Sequence, residues 1–366
     1  MFLKEIKTEL VDEDSRLVLK KIITSDGEYR NRKIAVTNSI FHSESEREKY
    51  GKDVYTSPFQ THHLRWDKKS KSWDYSSIDK AKQHSKKYGR LFIPYHQKNQ
   101  EQLENINWSE SEGDFFDLAD RGMNIIPCYV PLGTNYKELK QRTDDLKSVI
   151  SKTQKIIYIL SSKHPVESFD SIIKEQMKAD ALIGINCYEL TTPTEVVNLS
   201  KLRKLNCSFK TGEHSPLIFA FNYPRIFIDH SNVAGSFVYS CFSADVLSEK
   251  AHFLENMPPH ILEKIKAKSP EEFYLYDSAQ RGFNKSLTQK QWYGIDMTRN
   301  YMNSVSVNEG LMGHQVIRWQ AHYNQQLDLE LINDALARKE NVVEFIRNYS
   351  RWNVFWDRKV APSFSI

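Results

Sequence analysis

From Tyr88 onward, short apolar runs alternate with amphipathic segments of helical period, and this pattern constrains the chain more than any other feature. Such runs suit strands buried on both faces, which requires helices on either side of a parallel sheet. The runs fall at residues 90–95, 124–130, 155–160, 181–187, 217–221 and 236–240. The intervening segments predict helices. One over 114–119 ends at Arg121-Gly122, with glycine as the stop. A second covers 134–150, and a third over 166–179 carries Phe169, Ile172, Ile173 and Met177 on one face. Thr192-Pro193-Thr194-Glu195 opens a fourth: Thr caps, Pro suits the first helical position and Glu closes a capping box.

Successive βα units predict a mainly parallel sheet with right-handed crossovers. No GxGxxG follows the first strand and no GxxxxGK[ST] occurs, so the usual phosphate-cradling reasons for an open sheet are missing. The expected class is α/β, a (β/α)8 TIM-type barrel forming one domain over residues 1–366. Residues 1–60 would form an N-terminal antiparallel hairpin or lid around the turn Ser25-Asp26-Gly27-Glu28. The main βα units would occupy 61–247 and a helical C-terminal part 248–366, ending in a strong amphipathic helix over 329–348.

At 40% hydrophobic and 27% charged residues, composition is that of a packed globular chain rather than a disordered one. A net charge of +4, from 51 basic and 47 acidic residues, is too small to indicate a nucleic-acid partner unless the basic residues cluster locally. Cys128, Cys187, Cys207 and Cys241 form no CxxC pair and sit mostly in apolar runs, as buried thiols do. No apolar run approaches the roughly 18 to 20 residues that span a bilayer, and Met1-Phe2-Leu3-Lys4-Glu5 lacks a signal-peptide core. A cytoplasmic location without membrane association is expected.

Other segments carry a family likeness when taken in order. Near the start these are Asp14-Ser15-Arg16-Leu17, Ile22-Ile23-Thr24-Ser25-Asp26-Gly27 and Ile34-Ala35-Val36-Thr37. Later come Ile125 through Pro131, then Pro216-Leu217-Ile218-Phe219 with Tyr223-Pro224-Arg225-Ile226-Phe227, then Gly235 through Ser240, and Leu329 through Phe345. Together they resemble the tRNA-guanine transglycosylase family, especially its archaeosine-forming branch. The resemblance implies a (β/α)8 barrel acting on tRNA.

The family's nucleophile is a strand-end Asp in a Gly-Xaa-Asp-Xaa-Phe-Asp motif, whose carboxylate displaces the base from ribose C1′. By this resemblance Ser240 occupies that position. Tyr129 stands where the family has the Asp of a Leu-Asp-Val-Pro motif. Tyr55, in Tyr55-Thr56-Ser57-Pro58-Phe59-Gln60, stands where it has the Asp of Asp-Ser-Gly-Xaa-Phe-Gln. Asn38 replaces a proline. The three cysteines of the family's zinc site have no counterpart over 273–286, which leaves His314 alone, and no cofactor or metal is expected.

The residues themselves suggest other sites. Lys68, Lys69, Lys71 and Trp73, followed by Lys86 and Lys87, interleave cations with an aromatic, as phosphate-neutralising and base-stacking surfaces do. The plainer alternative is a solvated lysine-rich hairpin and helix face. Arg351 and Arg358 offer a second patch, although the neighbouring Trp352 and Trp356 suit the anchoring of a terminal helix or an oligomer interface. Asp245 and Glu189 are the carboxylates nearest strand ends that substitute for the lost nucleophile; a helix cap or first-turn acid, and a salt bridge, are their ordinary alternatives. His62-His63, His96 and His164 lie near strand ends or turns without metal-ligand spacing, and Asp277 and Asp296 sit in aromatic, polar stretches.

These readings combine into one expectation: an accessory or catalytically degenerate tRNA-binding subunit of archaeosine- or queuosine-type base modification. It would pair with tRNA or other nucleic acid and with a homologous catalytic subunit or a second copy. The alternatives are an active base-exchange enzyme on tRNA or DNA using Asp245 or Glu189, and an unrelated TIM-barrel enzyme on a small anionic substrate with His96 or His164 as acid/base.

Overall fold

A computed structural model describes residues 1–37, 57–67, 70–98, 100–177, 181–187, 190, 192–227, 232–250, 259–267, 274–284 and 310–365. Three antiparallel strands open the chain: β1 (Leu3–Asp12), β2 (Leu17–Thr24) and β3 (Glu28–Arg30), in the order β1-β2-β3. This is the expected N-terminal antiparallel unit, but it ends sooner than residue 60. Residues 33–37 already belong to the parallel part, as β4 (Lys33–Ile34) and β5 (Val36–Thr37).

The parallel strands are β6 (Phe59–Asp67), β8 (Leu91–His96), β9 (Ile125–Tyr129), β10 (Lys155–Ser161), β11 (Leu182–Asn186), β12 (Leu217–Tyr223) and β15 (Val246–Glu249), with β7 (Ser72–Asp74) folded back on β6 as a hairpin. Six form one sheet, ordered β4-β15-β12-β11-β10-β9. Residues 33–37 continue that sheet into a second set. Lys33 and Ile34 pair with Val246 and Leu247, the Ala35 N–H donates to the Leu247 carbonyl at 2.7 Å, and Val36 and Thr37 pair with Gln60 and Thr61. β6 then pairs in parallel with β8.

Period-two alternation sorts the side chains into two cores, as a sheet covered on both faces requires. Ala35, Phe59, Leu91, Ile93, Tyr95, Ile125, Tyr129, Ile157, Ile159, Leu182, Leu217, Phe219, Phe221 and Val246 pack in one cluster, joined by Leu3, Ile6 and Ile22 of the N-terminal sheet. The residues between them, such as Ile126, Cys128, Tyr158, Leu160, Ile183, Ile218 and Leu247, pack against helices in the other.

Those helices are α1 (Ile78–Lys87), α2 (Gln100–Glu104), α3 (Trp108–Asp120), α4 (Tyr136–Val149), α5 (Val166–Gln176), α6 (Pro193–Asn206) and α7 (Gly235–Cys241). Their ends follow the sequence signals. Asn107 and Asn135 cap α3 and α4 through Glu110 and Glu138 N–H, Gly122 takes φ +64° after α3, and Thr192 with Glu195 completes the capping box of α6. α7 corrects the sequence reading, which makes a strand of 236–240. Gly235 through Cys241 is buried throughout, so no polar face reveals its period, and an apolar run this short does not distinguish strand from helix. The strand of this unit is β15, which begins six residues after Ser240.

The C-terminal part is less uniformly helical than expected. The hairpin β16 (Leu275–Asp277) and β17 (Gly282–Asn284) joins β13 (Ile226–Phe227) and β14 (Val233–Ala234) in a small antiparallel sheet. The helices α8 (Pro259–Ala267), α9 (Gly310–Ala337), α10 (Val342–Arg347) and α11 (Ser350–Phe355) complete the described chain, apart from the closing turns Trp356–Val360 and Pro362–Ser365. The helix expected over 329–348 is broken: Lys339 has φ +56°, and Asn341 starts α10 by accepting from Glu344 N–H. Among the described residues, no helix is long and apolar enough to cross a membrane.

Candidate functional site at the strand C-terminal ends

The C-terminal ends of the parallel strands gather polar groups above the inner core. Tyr95, next to the last residue of β8, has its ring stacked on Phe221, centroids 4.6 Å apart, and its hydroxyl donates to Asn186 Oδ1 at 2.7 Å. The Asn222 amide donates to both the Tyr95 hydroxyl, at 2.8 Å, and Asn186 Oδ1, at 2.9 Å. Asn222 has φ +57°, a left-handed conformation that Asn tolerates better than most residues, and this places its amide in the triangle. Gly184 makes room beneath, since a Cβ there would lie 2.8 Å from the Phe221 ring.

Across the same mouth, His63 Nε2 lies 3.3 Å from Ser248 Oγ, and its ring meets Tyr95 edge-on at 5.4 Å. Buried polar groups of this kind are costly unless bonded to one another or to a ligand.

Tyr129 connects this mouth to a second chain of groups. Its hydroxyl accepts from His96 N–H at 2.8 Å, and burial holds the phenol well above its ordinary range. His96, at the end of β8, is fully buried, and desolvation followed by the nearby Lys98 ammonium pushes its imidazole well below the ordinary value. Its Nε2 lies 3.1 Å from the Tyr75 hydroxyl, which also donates to Asp117 at 3.2 Å. With one phenolic proton serving Asp117, the His96 to Tyr75 bond requires the Nε2–H tautomer.

This chain ends in a cleft of about 950 Å³ between the β6–β7 hairpin and α3. The cleft is acidic: Asp67, Asp74, Glu110, Asp114 and Asp117 face Lys71 and Arg121. Trp73 is buried there, its indole N–H donating to Asp114 at 2.8 Å with the Lys98 ammonium 5.0 Å from its ring. It is therefore a structural aromatic and presents no stacking face.

The remaining expected residues scatter. Lys71 sits in the hairpin turn, whereas the exposed Lys86 and Lys87 end α1 just before the opposite, N-terminal end of β8. Arg351 is engaged by Gln280, Asn284 and the Phe283 carbonyl, and Arg358 is exposed on the final turn. Trp352 and Trp356 are buried, Trp352 stacking on Phe237 at 4.0 Å, so they anchor the terminal helix. Ser240 is buried on α7 and is not part of a strand.

Asp245 precedes β15 at the strand's N-terminal end. It bonds Lys20 Nζ (2.7 Å), Asn31 Nδ2 (2.9 Å) and Ile218 N–H (2.9 Å). Its carboxylate is thereby occupied and 1% exposed, unavailable for attack on a sugar. His164 is buried between the Ser161 and Pro131 carbonyls and ties two strand-end loops together. Asp277 accepts from Asn284 within the small hairpin. Tyr55, Lys68, Lys69, Glu189 and Asp296 lie outside the described residues. Burial pushes the Cys128 and Cys241 thiols up to about 12 and Cys207 to about 11, so these three are inert thiols.

The sequence reading misses the groups that do converge: Tyr95, Asn186, Asn222 and Ser248. Each sits at or next to the last residue of a strand, a position that becomes visible once strand ends are fixed. Among the described residues, no group of three or more His, Cys, Asp or Glu side chains is placed to hold a metal ion. No family model and no curated protein matches this sequence.

Proposed function

We propose that the chain is a (β/α)8 barrel resembling the tRNA-guanine transglycosylases that binds tRNA at the C-terminal mouth without carrying out glycosyl transfer. Closure is supported by residues 33–37 pairing on both sides, and by a single inner cluster fed from all eight strand positions. At the remaining seam, Tyr95 and Tyr129 lie 5.9 Å apart and the Tyr129 hydroxyl accepts from His96 N–H. In such barrels the strand C-terminal ends carry the function.

The observation that carries the reading is the chemistry of that mouth: two amides, a phenol, an imidazole and a serine hydroxyl. Amides with donor and acceptor edges suit recognition of a base edge. With β15 as the strand, the motif Gly-Xaa-Asp-Xaa-Phe-Asp falls on Ser243-Ala244-Asp245-Val246-Leu247-Ser248. Ser248 then takes the place of the nucleophile, and a hydroxyl does not stabilise an oxocarbenium-like centre as a carboxylate does. Incubation of the protein with tRNA and labelled guanine is expected to leave the tRNA unlabelled while a gel shift reports binding. Incorporation of label would overturn the non-catalytic part, and absence of a shift the tRNA part.

A second reading, a barrel enzyme on a small anionic substrate, is favoured by one observation: a separate cavity beside His62 and His63 whose lining carries Arg65 and Lys80 against a single acid, Asp74.

A further inference from the structure

We infer that this cavity, enclosed by β5, β6 and the first turn of α1, is a binding subsite for a phosphate-class anion. It has a volume of about 340 Å³, enough for a phosphoryl group with its ester substituent. Thr37, Gln60, His62 and His63 contribute polar side chains that are buried, and the rim carries Arg65, Lys80, His84, Ser77 and one acid, Asp74. Asp74 is the register partner of Arg65 across the hairpin, and Ser76 N–H donates to it at 2.9 Å. The fixed charges of the lining therefore sum to one positive charge, from Arg65 and Lys80 against Asp74, and three imidazoles add ring nitrogens that can donate hydrogen bonds.

The helix that closes the cavity supports the same sign. α1 starts at Ser77, which makes no side-chain cap; its hydroxyl instead lies 3.0 Å from His62 Nε2. Ser77, Lys80 and Ala81 line the cavity, so the positive end of the helix dipole adds to Lys80 and Arg65, while Asp79, the acid of the same turn, does not line it. Histidine, arginine, lysine, hydroxyl and helix N-terminus all favour an anion with several acceptor oxygens. The acidic cleft on the other side of the hairpin has the opposite character, so the hairpin separates an anion-attracting cavity from a cation-attracting one.

Two sources supply such a group: a phosphodiester of bound RNA, which rests on the tRNA reading above, or a free phosphorylated small molecule. Titration of the full chain with inorganic phosphate, followed by the histidine ring signals in NMR, is expected to shift some of those signals saturably. Lys80→Glu, an exposed position, is expected to weaken phosphate binding about tenfold or more. Lys140→Glu, exposed on α4 and not lining the cavity, is expected to leave it unchanged, with thermal unfolding confirming that both variants fold. Absence of saturable shifts in the unaltered protein, or equal effects of the two variants, would overturn the subsite. Titration of labelled tRNA against the same proteins separates the sources. Weakened tRNA binding in Lys80→Glu, together with competition of added phosphate against tRNA in the unaltered protein, assigns the site to RNA. Phosphate binding lost without any change in tRNA binding keeps the subsite and assigns it to a small phosphorylated ligand.

Discussion

Lys20 Nζ stands 2.7 Å from Asp245 Oδ2, with both side chains excluded from solvent, and so ties the N-terminal antiparallel sheet to the start of β15. Lys20 also donates to the Pro216 carbonyl at 2.7 Å, and Asn31 and Ile218 complete the shell around the carboxylate. Removing one member of a buried pair leaves the other charge without compensation, at a cost of about 3–5 kcal/mol. Lys20→Met is therefore expected to lower the denaturant midpoint strongly. Lys20→Met combined with Asp245→Leu should recover part of the loss. A midpoint unchanged in Lys20→Met would contradict a structural role for Asp245.

Acid is expected to destabilise the fold before the carboxylates titrate. Burial depresses the imidazole of His164 to about 4 and that of His322 to about 3, and His96 falls well below its ordinary value. In the unfolded chain these rings protonate near 6.5, so below that pH the unfolded state binds more protons than the folded one. Their contribution is complete above about 6.5 and is lost as pH falls toward the depressed values. For His164 alone the loss is on the order of 3 kcal/mol by pH 4. Denaturant unfolding between pH 7 and 4 measures the slope, and His164→Asn should reduce it. A flat profile would contradict neutral burial.

Gly184 is required by the packing of the inner core. A Cβ at this position would lie 2.8 Å from the Phe221 ring and 3.0 Å from Ile159 Cγ1, and Phe221 is the ring on which Tyr95 stacks. Gly184→Val is expected to cost about 1–3 kcal/mol through overpacking, read as a lower melting temperature. It should also disturb the Tyr95 environment in near-ultraviolet circular dichroism. A variant as stable as the parent would show that the inner core is looser than these distances.

The hydroxyl of Tyr95 links two amides, so Tyr95→Phe removes one of the two donors to Asn186 Oδ1 and one of the two acceptors of the Asn222 amide, which stay bonded to each other. The expected loss is about 0.5–1.5 kcal/mol in unfolding free energy, without a change in the denaturant slope. If Tyr95→Phe is neutral, water replaces the hydroxyl and the triangle is not a rigid element.

Much of this architecture could be read from the residues because period-two apolar runs and helix caps are local signals. Thr192 with Glu195, and Gly122, mark helix boundaries where the sequence places them, whereas the cap at Asn107 starts α3 six residues before the expected 114. The error at Ser236–Ser240 has a physical cause: α7 is short and buried on every side, so its helical period leaves no polar trace. That error placed the strand at 236–240 in place of Val246–Glu249 and put Ser240, rather than Ser248, near a strand end. The lysine and tryptophan pattern misled for a different reason. Trp73 is claimed by Asp114 and Lys98, partners that a sequence window around residue 73 does not contain. Asn186 and Asn222 escaped notice because an amide carries no spacing motif and gains its role only when a third strand brings Tyr95 between the two.

The most direct test of the central claim is the equilibrium affinity of fluorescently labelled tRNA for the unaltered chain and for Asn222→Ala, measured by anisotropy, with melting temperatures as the control for folding. Saturable binding that weakens about tenfold in the variant is expected, as when one amide acceptor to a base edge is lost. Affinity unchanged in Asn222→Ala, or no binding by the unaltered chain, would contradict that claim.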